Sequence, residues 1–130
     1  GDGVSNVDIK KLLEFHMSHG KAATITGINI AARFGELKLD GNRIEKFFEK
    51  PTTASEFYSG GFFVFNRNIF NYLTDDDSCD LEYGIFDNLA ENGEMMIYKH
   101  RGDWACMDTL RDMDYLNKLW DENKAFWKIW

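Results

Sequence analysis

The chain has 130 residues, the size of one domain, and 44% of them are hydrophobic, enough to bury a core. Its formal net charge of −7 argues against a nucleic-acid backbone as partner, because such binding needs a basic surface. A small phosphorylated ligand, met by a few local donors and a metal, stays compatible with that charge, and no apolar run is long enough to cross a bilayer.

Gly1-Asp2-Gly3, neither basic nor apolar, reads as no signal peptide and as a cut inside a larger domain. Ser5 or Asn6 is expected to cap a helix from about Val7 to His19, with Ser5-x-x-Asp8 as a capping box and Gly20 as its stop. Ile9, Leu12, Leu13 and Met17 form the expected apolar stripe, which leaves His16 and His19 as surface or boundary residues without catalytic context. Ala22 to Ile28 reads as a buried strand. Gly35 to Leu39 and Arg43 to Glu49 read as a hairpin turning at Asp40-Gly41. Phe57 to Phe65 is a glycine-split aromatic strand, and Asn66 is a candidate cap for a short helix through Tyr72. Leu81 to Asn92 is expected to be helical and closed by Gly93. Met95 to Lys99 and Trp104 to Met107 read as strands. Thr109 then caps a last helix, with Asp112 three residues on and Leu110, Met113, Leu116, Leu119 and Trp120 as its buried face. The tail Phe126-Trp127-Lys128-Ile129-Trp130 is too aromatic to lie in water and must pack on this domain or a partner. Alternating strands and helices indicate an α/β class.

Three separated pieces carry the candidate chemistry: Gly1-Asp2-Gly3, Glu49-Lys50-Pro51 and Met107-Asp108-Thr109. Asp2, bracketed by glycines immediately before a helix, suits a metal-bound phosphate at a helix N-terminus, or else serves only the turn. Asp108 ends a strand before a capped helix, where open α/β sheets bind ligands, unless both Asp108 and Thr109 serve the cap. Two aspartates from different strands, with phosphate oxygens and waters, suit Mg²⁺. Glu49 can accept hydrogen bonds from sugar hydroxyls and Lys50 can meet a sugar phosphate, or the tripeptide is an ordinary charged strand end closed by Pro51. Gly35 and the pair Gly60-Gly61 either seat a ring-shaped ligand against bare backbone or form bulges. Asp75-Asp76-Asp77 lacks the rest of a calcium loop and reads as a solvated turn. Cys79 and Cys106 have no metal-ligand spacing, reading as reduced thiols with a single disulfide left open.

As a whole the sequence resembles the sugar-phosphate nucleotidyltransferase family. The resemblance runs through Gly1 to Asn6, Arg33-Phe34-Gly35-Glu36-Leu37, Glu49-Lys50-Pro51 and Gly60 to Phe65. Cys106-Met107-Asp108-Thr109 and the Trp-Lys-Ile-Trp tail are more particular to its cytidylyltransferase branch. It implies a Rossmann-like nucleotidyltransferase fold, a mixed sheet flanked by helices, with residues 1–130 as the C-terminal, sugar-phosphate- and metal-binding part. The implied reaction joins CTP and α-D-glucose 1-phosphate into CDP-glucose and pyrophosphate with Mg²⁺. By match to the family pattern, Asp2 and Asp108 hold the metal and Gly1 lies against substrate. Glu49 and Lys50 grip the sugar and its phosphate, Gly35 and Gly61 line the sugar pocket, and Thr109 supports Asp108. The family's N-terminal glycine-rich loop is absent from these residues, so the chain alone is expected to be inactive. Tyr58-Ser59 stands where the family pattern has an asparagine ahead of the glycine pair. A thymidylyl- or guanylyltransferase and a non-catalytic sugar-nucleotide-binding or oligomerisation module are the alternatives. A homo-oligomer and cytoplasmic precursor synthesis for surface polysaccharides are further implications of the resemblance.

Overall fold

The structure is a computed structural model describing residues 2–29, 36–48 and 57–129. In chain order it runs β1 (Gly3–Ser5), α1 (Ile9–His19), β2 (Ala23–Ile28), β3 (Glu36–Asp40), β4 (Arg43–Phe48) and β5 (Tyr58–Phe65). A 3-10 turn at Arg67–Asn71 follows, then α2 (Ile85–Glu91), β6 (Met95–His100), β7 (Trp104–Cys106) and α3 (Leu110–Asp121). One sheet has the order β5-β2-β6, a second pairs β1 with β7, and a third is the β3–β4 hairpin. The central strand β2 runs antiparallel to β5 and parallel to β6, so the expected mixed sheet is present.

Strand alternation on β2 places the helices. Ala23 packs with Ile85 and Leu89 of α2 and with Ile69 in the buried cluster. The next residue, Thr24, meets His16 of α1 through its hydroxyl at 2.8 Å. Successive side chains of a strand point to opposite faces, so α1 and α2 cover opposite sides of β2. Phe63 and Phe65 of β5 pack their rings on Phe86 of α2, the first edge-to-face at 5.2 Å.

The helix α1 starts later than its sequence indicates. Asp8, not Ser5 or Asn6, is the N-cap, and its Oδ1 accepts the Lys11 N–H at 3.0 Å. Ser5 is the last residue of β1, a strand too short to show alternation in sequence. The Ser5 hydroxyl donates to the Asp103 carbonyl at 2.7 Å, and Asn6 exchanges hydrogen bonds with Asp103. These two polar residues therefore tie β1 to the turn before β7. Gly20, at φ +67°, stops α1 as expected.

The buried face of α1 is Leu12 and His16, at 1% and 3% exposure, while Ile9, Leu13 and Met17 are exposed. The expected stripe was rotated because it counted only apolar residues, and His16 is the residue that faces the sheet. A hydrogen-bond relay explains its burial. The Lys21 N–H donates to His19 Nδ1 at 3.0 Å, so His19 carries its proton on Nε2 and donates to Thr24 Oγ1 at 2.7 Å. Thr24 then donates to His16 Nδ1, which leaves a buried His16 Nε2–H without a partner.

Burial, then the neighbouring His16 and Lys21, hold the His19 pKa below its ordinary 6.5. A depressed histidine pKa means that the unfolded chain takes up the proton first. Stability is therefore level above pH 6.5 and falls as pH drops through that value. Urea midpoints measured across that range are expected to decline on the acid side, and His19→Gln is expected to flatten the decline.

Two other elements depart from expectation. The Leu81–Asn92 helix begins only at Ile85, because Gly84 sits at φ +104°, outside helical backbone. Before it, Asp80 Oδ1 accepts the N–H groups of Glu82 and Tyr83 at 2.8 and 3.1 Å and makes a turn. Asn66 precedes the 3-10 turn without capping it; its amide instead donates to the Lys21 carbonyl at 2.7 Å.

The capping box of α3 forms as read, with Thr109 Oγ1 accepting the Asp112 N–H and the Asp112 carboxylate accepting the Thr109 N–H. Its expected buried face narrows to Leu116, since Leu110 is 71% and Trp120 49% exposed. Part of the tail folds back there: the Lys128 ammonium lies 4.9 Å from the Trp120 ring centre, and Phe126 meets Trp127 edge-to-face. No helix among the described residues is long and apolar enough to cross a membrane.

Candidate active site

Antiparallel pairing brings the two candidate aspartates to one place. In the β1–β7 pair Gly3 stands opposite Cys106. Asp2 precedes the start of β1, Asp108 follows the end of β7, and those are the same end of an antiparallel pair. The Met107 N–H donates to the Asp2 carbonyl at 2.9 Å and extends the pairing to the aspartates themselves. Asp2 is thus at the beginning of a strand, not at a helix N-terminus, since α1 starts at Ile9. The phosphate-binding role expected from a helix dipole at Asp2 does not apply.

Both aspartates line an open cavity of about 630 Å³. The β5 bulge lines the same cavity. Register on β2 jumps from Ile25↔Phe63 to Gly27↔Ser59, so Gly60, Gly61 and Phe62 all stand against Thr26. Gly61 and Phe62 both have left-handed backbone, at φ +73° and +51°. For phenylalanine this costs on the order of 1–3 kcal/mol, and such strain concentrates at functional sites. The glycine pair forms a bulge, one of its two sequence readings, and that bulge lines the cavity.

Cavity walls also include Glu82 and Trp104, which sequence reasoning did not single out, and Cys106, which it read only as a reduced thiol. The neighbouring Asp108 carboxylate, followed by burial, holds the Cys106 thiol pKa above its ordinary value. That direction favours the neutral thiol beside Asp108. Both cysteines are free thiols. Thr109 does not line the cavity; its hydroxyl donates to the Asp112 carboxylate at 2.8 Å within the cap. The cap is thus served by Thr109 and Asp112, while the Asp108 side chain is left to the cavity. Gly1, Gly35, Glu49 and Lys50 lie outside the described residues, as do Arg33, Phe34 and Pro51.

Three carboxylates, Asp2, Glu82 and Asp108, face this cavity, and no Lys, Arg or His does among the described residues. A phosphorylated ligand entering such a wall needs a cation between itself and the carboxylates. Two aspartates offering oxygen donors suit Mg²⁺, which takes one or two carboxylates together with phosphate oxygens and waters. Glu82 does not complete a protein cage with them, for no cluster of three or more potential ligands occurs among the described residues. Asp76 in the acidic loop accepts the Ser78 N–H at 2.9 Å, as fits a solvated turn.

Residues 1–126 match the family model described as Nucleotidyl transferase. Over all 130 residues the chain is 43% identical to glucose-1-phosphate cytidylyltransferase of Salmonella typhi and spans 50% of that protein. It is 30% identical to glucose-1-phosphate adenylyltransferase of Clostridioides difficile, with 95% of the chain matched and 34% of the relative covered. Among solved structures it superposes on a Bacillus anthracis protein assigned as a glucose-1-phosphate thymidylyltransferase, in complex with a sucrose. That match has a TM-score of 0.60 at 19% identity and covers 96% of this chain and 52% of the other. The chain spans about half the length of the cytidylyltransferase it matches.

Proposed function

This chain belongs to the nucleotidyl transferase family, and on that premise we propose that it supplies the metal- and sugar-phosphate-binding portion of a glucose-1-phosphate cytidylyltransferase. The observation that carries the reading is the meeting of Asp2 and Asp108 at one end of the β1–β7 pair, on a cavity that the glycine bulge also lines. In the proposed reaction the phosphate oxygen of glucose 1-phosphate attacks the α-phosphorus of CTP in line, and pyrophosphate leaves. Bound Mg²⁺ would offset the charge that builds on the phosphoryl oxygens. Asp2 and Asp108, which both line the cavity, would hold it. The bulge backbone at Gly60–Phe62 would seat the sugar ring, because Gly61 presents no Cβ there. Glu49 and Lys50 keep their proposed roles on sugar hydroxyls and phosphate.

Cytosine preference rests on the cytidylyltransferase relatives. Product analysis with an equimolar mixture of CTP, dTTP, UTP and GTP tests it, using glucose 1-phosphate, Mg²⁺ and the protein expressed from its complete reading frame. CDP-glucose is expected to be the main product. A different nucleotide sugar would keep the reaction and move the specificity, and no product at all would favour a binding or assembly module. The 130-residue chain alone is expected to release no pyrophosphate, since these residues hold no glycine-rich triphosphate loop. Turnover by the chain alone would contradict that expectation.

A further inference from the structure

Trp104 connects two parts of the cavity wall that belong to different sheets. Its strand, β7, is half of the pair whose ends carry Asp2 and Asp108, whereas the bulge belongs to the β5-β2-β6 sheet. Across that gap the indole Nε1–H donates to the Gly60 carbonyl at 2.9 Å. The indole also lies on Gly3, where an added Cβ would come within 3.2 Å of ring atoms. Gly3 is therefore bare to admit the indole, and one side chain is wedged between the residue that follows Asp2 and the bulge.

A second contact holds the bulge from β2. Thr26 is 1% exposed, and its hydroxyl donates to the Phe62 carbonyl at 2.9 Å. Gly60 is pressed so tightly on the same strand that a Cβ there would meet Ile28 Cγ2 at 2.5 Å. Left-handed backbone at a phenylalanine persists only where its surroundings over-determine it. Here the carbonyls on either side of Gly61 each receive a side-chain donor, and the two donors come from different sheets.

We propose that Trp104, assisted by Thr26, is a positioning residue that sets the gap between the Asp2/Asp108 end of the cavity and the Gly60–Phe62 bulge. It thereby fixes where the glycosyl phosphate sits relative to the metal-binding aspartates. This inference rests on the function proposed above. With the Gly60 bond lost, the bulge moves independently of the aspartates. A displacement of the seated substrate then lowers affinity and alignment together, and misplacement by about 1 Å is enough to cost large factors in rate.

The test compares wild type, Trp104→Phe, Thr26→Val and Thr26→Ser, each expressed from the complete reading frame. Steady-state constants for both substrates are measured together with thermal melting and hydrogen exchange at the Gly61 and Phe62 amides. Trp104→Phe keeps a ring against Gly3 and removes only the donor. It is expected to raise KM for glucose 1-phosphate about tenfold, the worth of one hydrogen bond at the upper end. KM for CTP is expected to stay within about twofold, and the two amides to exchange faster. Thr26→Val is expected to move the same quantities in the same direction, and Thr26→Ser to restore them. Unchanged constants with unchanged exchange would overturn the proposal. So would a uniform loss of activity that tracks a lowered melting temperature, since that is a folding defect alone. If the wild type makes no nucleotide sugar, the function reading fails and the substrate role of Trp104 fails with it. The exchange data then decide whether Trp104 holds the bulge at all.

Discussion

Asp108→Asn is expected to lower nucleotidyl transfer by about 10²- to 10³-fold and to raise the Mg²⁺ concentration needed for half-maximal rate. The size follows from the several kcal/mol that a metal supplies to charge building on phosphoryl oxygens, at about 1.4 kcal/mol per tenfold. Asparagine is nearly isosteric, so the shape of the site is kept while one of two protein carboxylates is lost. Folding is insulated from the change. The α3 cap uses the Thr109 and Asp112 side chains and only the main-chain N–H of Asp108. Pyrophosphate release and circular dichroism, measured on the same preparation, check both halves of the statement. Activity within a few-fold of wild type would remove Asp108 from the site. Thr109→Ala is the contrasting control: it costs about 1 kcal/mol of stability through the lost cap and leaves the Mg²⁺ requirement in place.

Leu89→Ala is expected to have the largest effect on stability, a loss of about 2–5 kcal/mol. Leu89 is fully buried where α2 meets β2, among Ala22, Ala23, Ile69 and Ile85, with Phe65, Phe86 and Met95 packed around them. Truncation there removes a side chain whose neighbours come from both the helix and the sheet, so the cavity left behind cannot close without moving one against the other. Against a typical domain stability of about 5–15 kcal/mol, that loss is a large share. The paired control is Leu13→Ala on α1, 45% exposed, expected to cost under about 0.5 kcal/mol. Urea midpoints at constant m-value would measure both. Similar losses at the two leucines would mean that the exposed face of α1 is covered in the folded protein.

That pair of leucines also marks where the sequence was readable. Stops at Gly20 and Gly93 and the Thr109–Asp112 box came out as expected because their physics is local, whereas Ser5, Asn6 and Asn66 bond to other partners instead of capping. The apolar stripe of α1 misled, because burial of His16 depends on Thr24 of β2 and His19, partners supplied by the fold and not by periodicity. Gly84 was absorbed into a helix because its φ of +104° comes from the turn that Asp80 organises. Within the site, Asp2 and Asp108 were visible through their glycine and cap neighbours, yet for Asp2 the reason was wrong. Its place is set by the three-residue strand β1, too short for an alternation signal. Trp104 and Glu82 had no signature at all, and Cys106 was read only as a free thiol within a family-like stretch. Trp104 reaches the bulge only across two sheets, and nothing in local sequence announces a bond between residues 44 positions apart.

On the proposed function, Asp2 and Asp108 together hold a divalent ion at the bulge-lined cavity. Anomalous diffraction from Mn²⁺ in crystals of the protein from its complete reading frame, grown with CDP-glucose, tests it most directly. An anomalous peak is expected between the two carboxylates, with the glycosyl ring against Gly60–Phe62. A peak that engages neither aspartate, or a nucleotide sugar bound away from this cavity, would contradict it.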